Sequence, residues 1–179
     1  ALKLSFDFAQ PISDFTAAVL MKASALGDRN WRLDACAEVT IAADSARLTQ
    51  ALLNLARNAV EHTVPGDEIG IGSTHCDGAV RLWVRDTGPG VQPAEQTTIF
   101  ERFSRGRHRP RGSDGAGLGL AIVRAVADAH RARVELDSEP PHGATFTIVF
   151  PDTATMDDNA HRPIITPITP NTPQEGLDQ

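Results

Sequence analysis

The stretch NLARNAVEHT, residues 54–63, places two asparagines four residues apart in a segment with the apolar spacing of an amphipathic helix. Asparagine is a weak helix former because its side chain competes for backbone hydrogen bonds. Asn54 and Asn58 share one face, with Gln50 a turn earlier. Amide oxygens can bind Mg2+, which takes few protein ligands. A solvated face usually carries Lys and Glu, so we interpret this stripe as functional.

Composition and charge exclude several classes of protein. The chain has 179 residues, 41% of them hydrophobic, which is enough for one domain with a core. Its formal net charge is -6, so we expect no nucleic-acid partner, because such domains carry a concentrated basic surface. The longest apolar run, at 15–21, is far shorter than the ~20 residues of a membrane span. Cys36 and Cys76 lack metal-binding spacing, so we expect ordinary thiols.

The first half of the chain alternates helices and strands. Residues 45–63 carry apolar side chains at three-and-four spacing and predict a helix that Pro65 and Gly66 end. The segments before it predict one more helix and two short strands. These are residues 14–25, with Ser13 or Asp14 as the N-cap, and then 31–35 and 38–44.

The second half predicts two β-hairpins around a second long helix. Asp77-Gly78 is a typical hairpin turn. The predicted elements are strands 68–75 and 79–86, a helix at 118–129, and strands 131–139 and 144–151. Beyond Pro151 the chain is acidic and rich in Pro and Thr without apolar periodicity. We therefore expect residues 152–179 to be a disordered tail.

These elements predict an α/β fold. We expect a two-layer sandwich, with about three helices packed on one face of a mixed, mostly antiparallel sheet. The folded domain is predicted at 13–151, preceded at 1–12 by a linker or the remnant of an upstream helical domain. The chain starts at Ala1 without Met, and we expect it to be a piece of a longer protein.

Two glycine-rich segments indicate a nucleotide site. GAGLGL, residues 115–120, lacks the spacing of the common phosphate-binding motifs, yet small residues opening a helix let backbone N–H groups approach an anion. The alternative is a tight loop that permits close helix packing. In DTGPGV, residues 86–91, Asp86 ends an apolar strand and Gly88 and Gly90 admit a flat ligand. A partly buried carboxylate needs a donor, such as the exocyclic amine of adenine; an ordinary Asp-Thr-Gly turn is the alternative.

Taken in order, five segments resemble one known family. NLARNAVEHT, DTGPGV, IFERFSRG, GAGLGLAIV and GATFTIVFP are similar to the ATP-binding catalytic domain of bacterial sensor histidine kinases. This domain belongs to the GHKL superfamily, shared with type II topoisomerases, mismatch-repair ATPases and heat-shock chaperone ATPases. The resemblance covers about residues 30–151 and implies a Bergerat-type fold with ATP and Mg2+ bound.

The resemblance also implies roles for individual residues. Asn58 is the expected metal ligand, Asp86 accepts the adenine amine, and residues 92–114 form a lid anchored by Phe100 and Phe103. The catalytic residues implied are Asn54, Asn58 and Arg105. The nucleotide-binding residues implied are Asn54, Asn58, Glu61, His62, Asp86, Gly88, Gly90, Val91, Arg105, Gly115, Ala116, Gly117, Leu118, Gly119 and Thr145.

Position 54 argues against the hydrolytic members of the superfamily. The resemblance implies that they carry a Glu there as the base for water, as anti-sigma-factor kinases also carry a Glu, whereas the neutral amide of Asn54 cannot take a proton. Two positions depart from the kinase pattern. Glu61 stands where a basic residue often faces the phosphates, and Ala144 stands where Thr often follows Gly143, leaving Thr145 or Thr147 as substitutes.

The phosphoacceptor is absent from this sequence. None of its six histidines precedes an acidic residue on an amphipathic helix before the ATP module. The resemblance therefore implies as partners the protein's own phosphoacceptor and dimerisation domain and the receiver domain of a response regulator. It also implies that this fragment is monomeric and cytoplasmic, whereas the parent protein is a homodimer in the bacterial cell membrane. A nucleotide-binding regulatory module without transfer, suggested by Glu61, and an ATPase remain the alternatives.

Overall fold

The computed structural model describes residues 4–5, 11–100, 118–151 and 166–167. Four α-helices occur there: α1 (Ile12–Ala23), α2 (Ser45–Glu61), α3 (Pro93–Gln96) and α4 (Gly119–Ala129), with a 3-10 turn at Ser24–Leu26. The strands are β1 (Asn30–Ala35), β2 (Val39–Thr40), β3 (Glu68–Cys76), β4 (Ala79–Asp86), β5 (Arg133–Ser138), β6 (Ala144–Pro151) and β7 (Thr166–Pro167).

Five strands form one mixed sheet in the order β1-β3-β4-β6-β5. Strand β1 runs parallel to β3, and the remaining neighbours are antiparallel. The β3–β4 hairpin turns at Asp77 and Gly78, whose φ angles of 51° and 66° are those of the tight turn that Asp-Gly predicts. The predicted α/β fold and both predicted hairpins are confirmed.

The helices cover one face of the sheet because buried apolar residues alternate with partly exposed residues along its strands. Along β4, Val80, Leu82 and Val84 are buried while the residues between them are partly exposed. Helix α1 packs on β3, α2 on β3 and β4, and α4 on β5. The largest fully buried side chains include Phe146, Phe150, Ile148, Leu82, Leu52 and Leu48. One continuous core therefore joins the sheet to all three long helices.

On the opposite face, polar side chains join β1 to β4 across β3. Asp34 accepts hydrogen bonds from Arg85 Nε at 2.7 Å and Nη2 at 2.8 Å, and from Trp83 Nε1 at 3.1 Å. Although burial raises it, these contacts hold the pKa of Asp34 below its ordinary value. Asp34 lies over Gly70 and Trp83 over Gly72, where a Cβ atom would collide with them. The two bare positions on β3 therefore make room for this cluster.

Helix α1 begins earlier than the N-cap pattern predicts. Pro11, not Ser13 or Asp14, precedes the first helical residue, and its carbonyl accepts the Phe15 N–H at 3.2 Å. Ile12 is fully buried, so packing of the first turn against the core outweighs the side-chain cap. The predicted strand at 38–44 shortens to Val39–Thr40 for a related reason, since Asp44 serves as the N-cap of α2.

Part of the predicted tail has structure. Thr166 and Pro167 pair antiparallel with Thr40 and Val39; the rest of 152–179 lies outside the described residues, as do most of 1–12. None of the helices in the described ranges is long and apolar enough to cross a bilayer. Cys36 and Cys76 are exposed and unbridged.

A buried histidine joins the end of α4 to the start of α2. His130 Nε2 accepts the backbone N–H of Asp44 at 3.0 Å, and Nδ1 lies 2.8 Å from the Val126 carbonyl. The ring is 2% exposed and packs edge-on against Phe150. An acceptor Nε2 requires the neutral form. Burial lowers the pKa of His130, more than the Val126 contact and the nearby Asp44 carboxylate raise it.

We predict that this histidine makes the domain less stable in mild acid. Below about pH 6.5, the ordinary pKa of histidine, the unfolded chain takes up a proton that folded His130 resists, so the free energy of unfolding falls. Urea unfolding at several pH values between 7.5 and 5.5 measures this slope. His130→Gln, which keeps an acceptor but does not titrate, should flatten it, whereas His142→Gln at an exposed position should not. An unchanged slope in His130→Gln would refute the prediction.

Candidate functional site

Helix α2 has one apolar face and one amide face. It starts at Asp44, whose side chain accepts the Arg47 N–H at 2.9 Å. Its apolar stripe, with Leu48, Leu52 and Leu55 at its centre, is buried in the core. Because the stripe fixes how the helix is rotated, the amides of Asn54 and Asn58 lie together at the edge of the core, and both are half-buried.

The carboxylate of Asp86 lies on the inner face at the end of β4. The residue is 7% exposed, and its Oδ1 accepts the Gly88 N–H at 2.9 Å. Burial raises the pKa of Asp86, more than hydrogen bonds from the Gly88 and Ala144 backbone and the nearby His62 lower it. A carboxyl group this buried requires a further donor to be stable in its charged form.

Glycines allow the loop after Asp86 to approach α2 and β6. A Cβ atom at Gly88 would lie 2.5 Å from the His62 carbonyl oxygen, and one at Gly143 would collide with the Asp86 carbonyl. Gly90 and Gly143 have φ angles of 74° and 86°, which side-chain-bearing residues rarely adopt. The end of α2 therefore packs beside the Asp86 carboxylate.

Two polar side chains hold the far end of this loop. Ser138 Oγ accepts the Val91 N–H at 2.9 Å and donates to the Gly143 carbonyl at 2.7 Å. Gln96 Nε2 donates to the carbonyls of Val91 and Ser138, at 2.9 and 3.0 Å. The sequence analysis missed both residues. They give no local pattern, because Ser138 lies 47 positions from Val91 along the chain.

The start of α4 lies against Asn54. A Cβ atom at Gly119 would be 4.0 Å from the Asn54 Cβ, and this helix has no side-chain N-cap. Asn54 Nδ2 is a buried donor without a hydrogen-bond partner among the described residues. A buried orphaned donor normally pairs with a ligand, ion or water, and the first N–H groups of a helix attract anions. The surroundings of Asn54 therefore fit a phosphate group.

Three further residues predicted for the site are exposed: Glu61 and His62 at the end of α2, and Leu118 just before α4. Phe100 packs edge-on against Phe146, with ring centroids 5.9 Å apart. The remaining predicted residues lie outside the described ranges: Phe103, Arg105, Gly115, Ala116 and Gly117.

The structure contradicts the prediction that Thr145 binds the nucleotide. In the register, Asp86 pairs with Ala144, whereas Thr145 pairs with Arg85, whose side chain lies on the outer face with Asp34. Successive strand residues point to opposite faces, so Thr145 lies on the face away from the Asp86 carboxylate, as does Thr147. The side chain that borders the carboxylate is that of Ala144.

Sequence comparison places the chain among known proteins. The family described as histidine kinase-, DNA gyrase B- and HSP90-like ATPase matches residues 43–154. The Sensor-like histidine kinase SenX3 of Mycobacterium tuberculosis is 37% identical over 125 residues, covering 69% of this chain and 30% of that protein. The Probable sensor histidine kinase TcrY of the same species is 44% identical over 126 residues, covering 69% and 26%. The chain thus spans less than a third of these relatives.

Solved structures agree. The mycobacterial sensor histidine kinase MprB superposes with a TM-score of 0.70 at 29% identity, covering 79% of this chain and 96% of that one. Full-length ShkA in complex with AMPPNP superposes with a TM-score of 0.71 at 33% identity, covering 83% of this chain and 32% of that one. The chain therefore belongs to the histidine kinase-, DNA gyrase B- and HSP90-like ATPase family, as an ATP-binding catalytic domain of the type found in sensor histidine kinases.

Proposed function

We propose that this domain binds ATP with Mg2+ and donates the γ-phosphoryl group to a histidine on a separate phosphoacceptor domain. That histidine then passes it to an aspartate of a response-regulator receiver domain. The parent protein would be a dimeric sensor kinase of the bacterial membrane, with this domain in the cytoplasm. The observation that carries the proposal is Asn54 Nδ2, a buried donor with no hydrogen-bond partner among the described residues, at the position that resembles that of the hydrolytic glutamate.

The adenine end of the proposed site lies at Asp86. The carboxylate accepts backbone hydrogen bonds from Gly88 and Ala144, and its remaining lone pairs would accept the exocyclic amine of adenine. Gly88 and Gly90 let the loop after Asp86 pack against the carbonyls of His62 and Gly143, which keeps the carboxylate beside the end of α2. Ala144, on the same face, is small and apolar. A complex of ShkA with AMPPNP supports a nucleotide in this type of domain.

The phosphate end lies between α2 and the start of α4. Asn54 Nδ2 and the uncapped N–H groups of α4 would donate to phosphate oxygens. The Asn58 amide oxygen fits Mg2+, which prefers hard oxygen ligands and keeps several waters. When bound, Mg2+ offsets charge on the phosphates. Arg105 and Gly115 to Gly117 are proposed to complete the phosphate contacts.

A neutral side chain at position 54 favours transfer over hydrolysis. An amide cannot accept a proton from water, so the γ-phosphoryl group is held without an activated competitor of the incoming histidine. The imidazole is already a nucleophile at neutral pH, so positioning and charge neutralisation suffice. Glu61, exposed at the end of α2, favours a second candidate, a module that binds nucleotide without transferring it.

We predict that Asp86→Asn stabilises the domain and removes nucleotide binding. Because burial disfavours the charged carboxylate, the neutral isostere should raise the free energy of unfolding at neutral pH. Its Oδ1 keeps the Gly88 N–H and its Nδ2 then faces the adenine amine, so ATP affinity should fall at least ~100-fold. Thermal unfolding and calorimetry measure the two effects. Retained affinity would contradict the role of Asp86.

We predict that Asn58→Ala lowers Mg2+-dependent ATP affinity at least about tenfold while the fold is kept. Affinity without Mg2+ should change little, since only the metal ligand is lost. Arg57→Ala is the control, because Arg57 is exposed on the same helix but lies outside the stripe of amides. Titrations with ATP at fixed Mg2+ and with EDTA check this. Equal Mg2+ dependence in both variants would rule out Asn58 as the ligand.

We predict phosphohistidine when this chain, Mg2+-ATP and a separately purified phosphoacceptor domain are mixed, and no labelling of this chain alone. Acid-labile, base-stable radioactivity on the acceptor measures the product. Binding without transfer would support the regulatory module instead. Release of free phosphate at the same rate with or without the acceptor would mean an ATPase.

A further inference from the structure

Arg29, between the 3-10 turn and β1, reaches the C-terminal end of α2. Its Nη2 donates to the carbonyls of Val60 and Thr63, at 3.0 and 2.8 Å. Its Nε donates to Thr63 Oγ1 at 2.8 Å, and its Nη1 to the Asp28 carbonyl at 2.8 Å. The guanidinium thus contacts the last turn of a helix 34 positions further along the chain.

The surroundings hold the guanidinium in place. Thr63 is buried, and its hydroxyl donates to the Ala59 carbonyl at 2.7 Å while it accepts from Arg29. A Cβ atom at Gly27 would lie 2.9 Å from Val60 Cγ1, so the glycine lets the loop pack closely against Val60. Trp31 Nε1 donates to the Gly27 carbonyl at 3.0 Å. The loop that carries Arg29 is therefore fixed from both sides.

This contact supplies a positive charge at the C-terminal end of α2, where the helix has no basic residue of its own. The last carbonyls of a helix have no partner within the helix and carry the negative end of its dipole. Basic residues in the last turn usually meet this need, but α2 has none there. The backbone N–H groups of His62 and Thr63 reach these carbonyls at 3.2 to 3.4 Å. Arg29 adds side-chain donors and a positive charge from a distant segment.

The last turns of α2 form one wall of the nucleotide site. They carry Asn58, Glu61 and His62, and the His62 carbonyl packs against Gly88 beside the Asp86 carboxylate. A shift of this turn would move the amide of Asn58 and the loop of Gly88 together. Because packed backbone contacts transmit displacement, the orientation of the helix end sets the distance between the two ends of the site.

We infer that Arg29 is a positioning residue for nucleotide binding, acting through the C-terminal turn of α2 without touching the ligand. This inference rests on the proposed function, since it concerns the same site. It differs from a purely structural role in one measurable respect. Removing the Arg29 guanidinium should weaken nucleotide affinity in protein that is still fully folded.

The test compares Arg29→Met with Arg32→Met in the full chain. Arg32 lies on β1, 65% exposed and paired with Glu68 on the outer face, so it matches the chemistry without reaching α2. Calorimetry with Mg2+-ATP is carried out at a temperature where circular dichroism shows both variants folded. We expect about tenfold weaker binding for Arg29→Met and no change for Arg32→Met.

Two further variants distinguish a positioning role of Arg29 from a role in stability alone. Arg29→Lys keeps the charge but loses the planar fork, so its affinity should fall by only ~threefold. In Arg29→Ala, millimolar guanidinium should restore nucleotide affinity, and it should leave Arg32→Met unaffected. These two proteins also provide the measurement if Arg29→Met does not fold.

The outcomes decide between the claims. Equal affinity of folded Arg29→Met and the unaltered protein overturns the inference, as does equal weakening by Arg32→Met. Full affinity in Arg29→Lys together with no guanidinium rescue of Arg29→Ala also overturns it. Absence of nucleotide binding by the unaltered protein overturns the proposed function and this inference with it.

Discussion

The close approach of the His62 carbonyl to Gly88 is the constraint on which the site depends. It brings the end of α2 to the loop that leaves β4, where a Cβ atom would have no room. The Asp86 carboxylate is buried beside this contact, and the amides of Asn54 and Asn58 lie on the same helix. The helix and the strand end that meet in this way carry the carboxylate and the two amides of the proposed nucleotide site.

Each element around the proposed site is held in place by residues outside the site. Ser138 and Gln96 satisfy both backbone groups of Val91 at the end of the loop. Arg29 binds the carbonyls at the end of α2, and His130 joins α4 to the N-cap of α2. Hydrogen bonds of this kind fix geometry because a buried polar group without its partner is costly. The site is thus supported by long-range contacts at three places.

The charge of Asp86 and the neutrality of Asn54 have opposite consequences. A buried carboxylate destabilises the folded domain, which is acceptable where a ligand donor compensates it. A buried amide costs less and performs no proton transfer. In the proposed function, the first suits binding of a donor-bearing base, and the second suits retention of the phosphoryl group for another acceptor. Together they connect the membership in this family to the proposed kinase function.

Periodicity located the helices and strands because apolar spacing records which face of an element is buried. The α/β class, the Asp77-Gly78 hairpin, the span of β4 and β6, and the family itself followed from the order of residues. The start of α1 did not, because burial of Ile12 outweighed the local capping pattern. The face of Thr145 followed only from strand register, which one residue of shift reverses. Arg29, Ser138 and Gln96 acquired their contacts only in the packed fold, since side chains so far apart in sequence leave no local pattern that predicts their meeting.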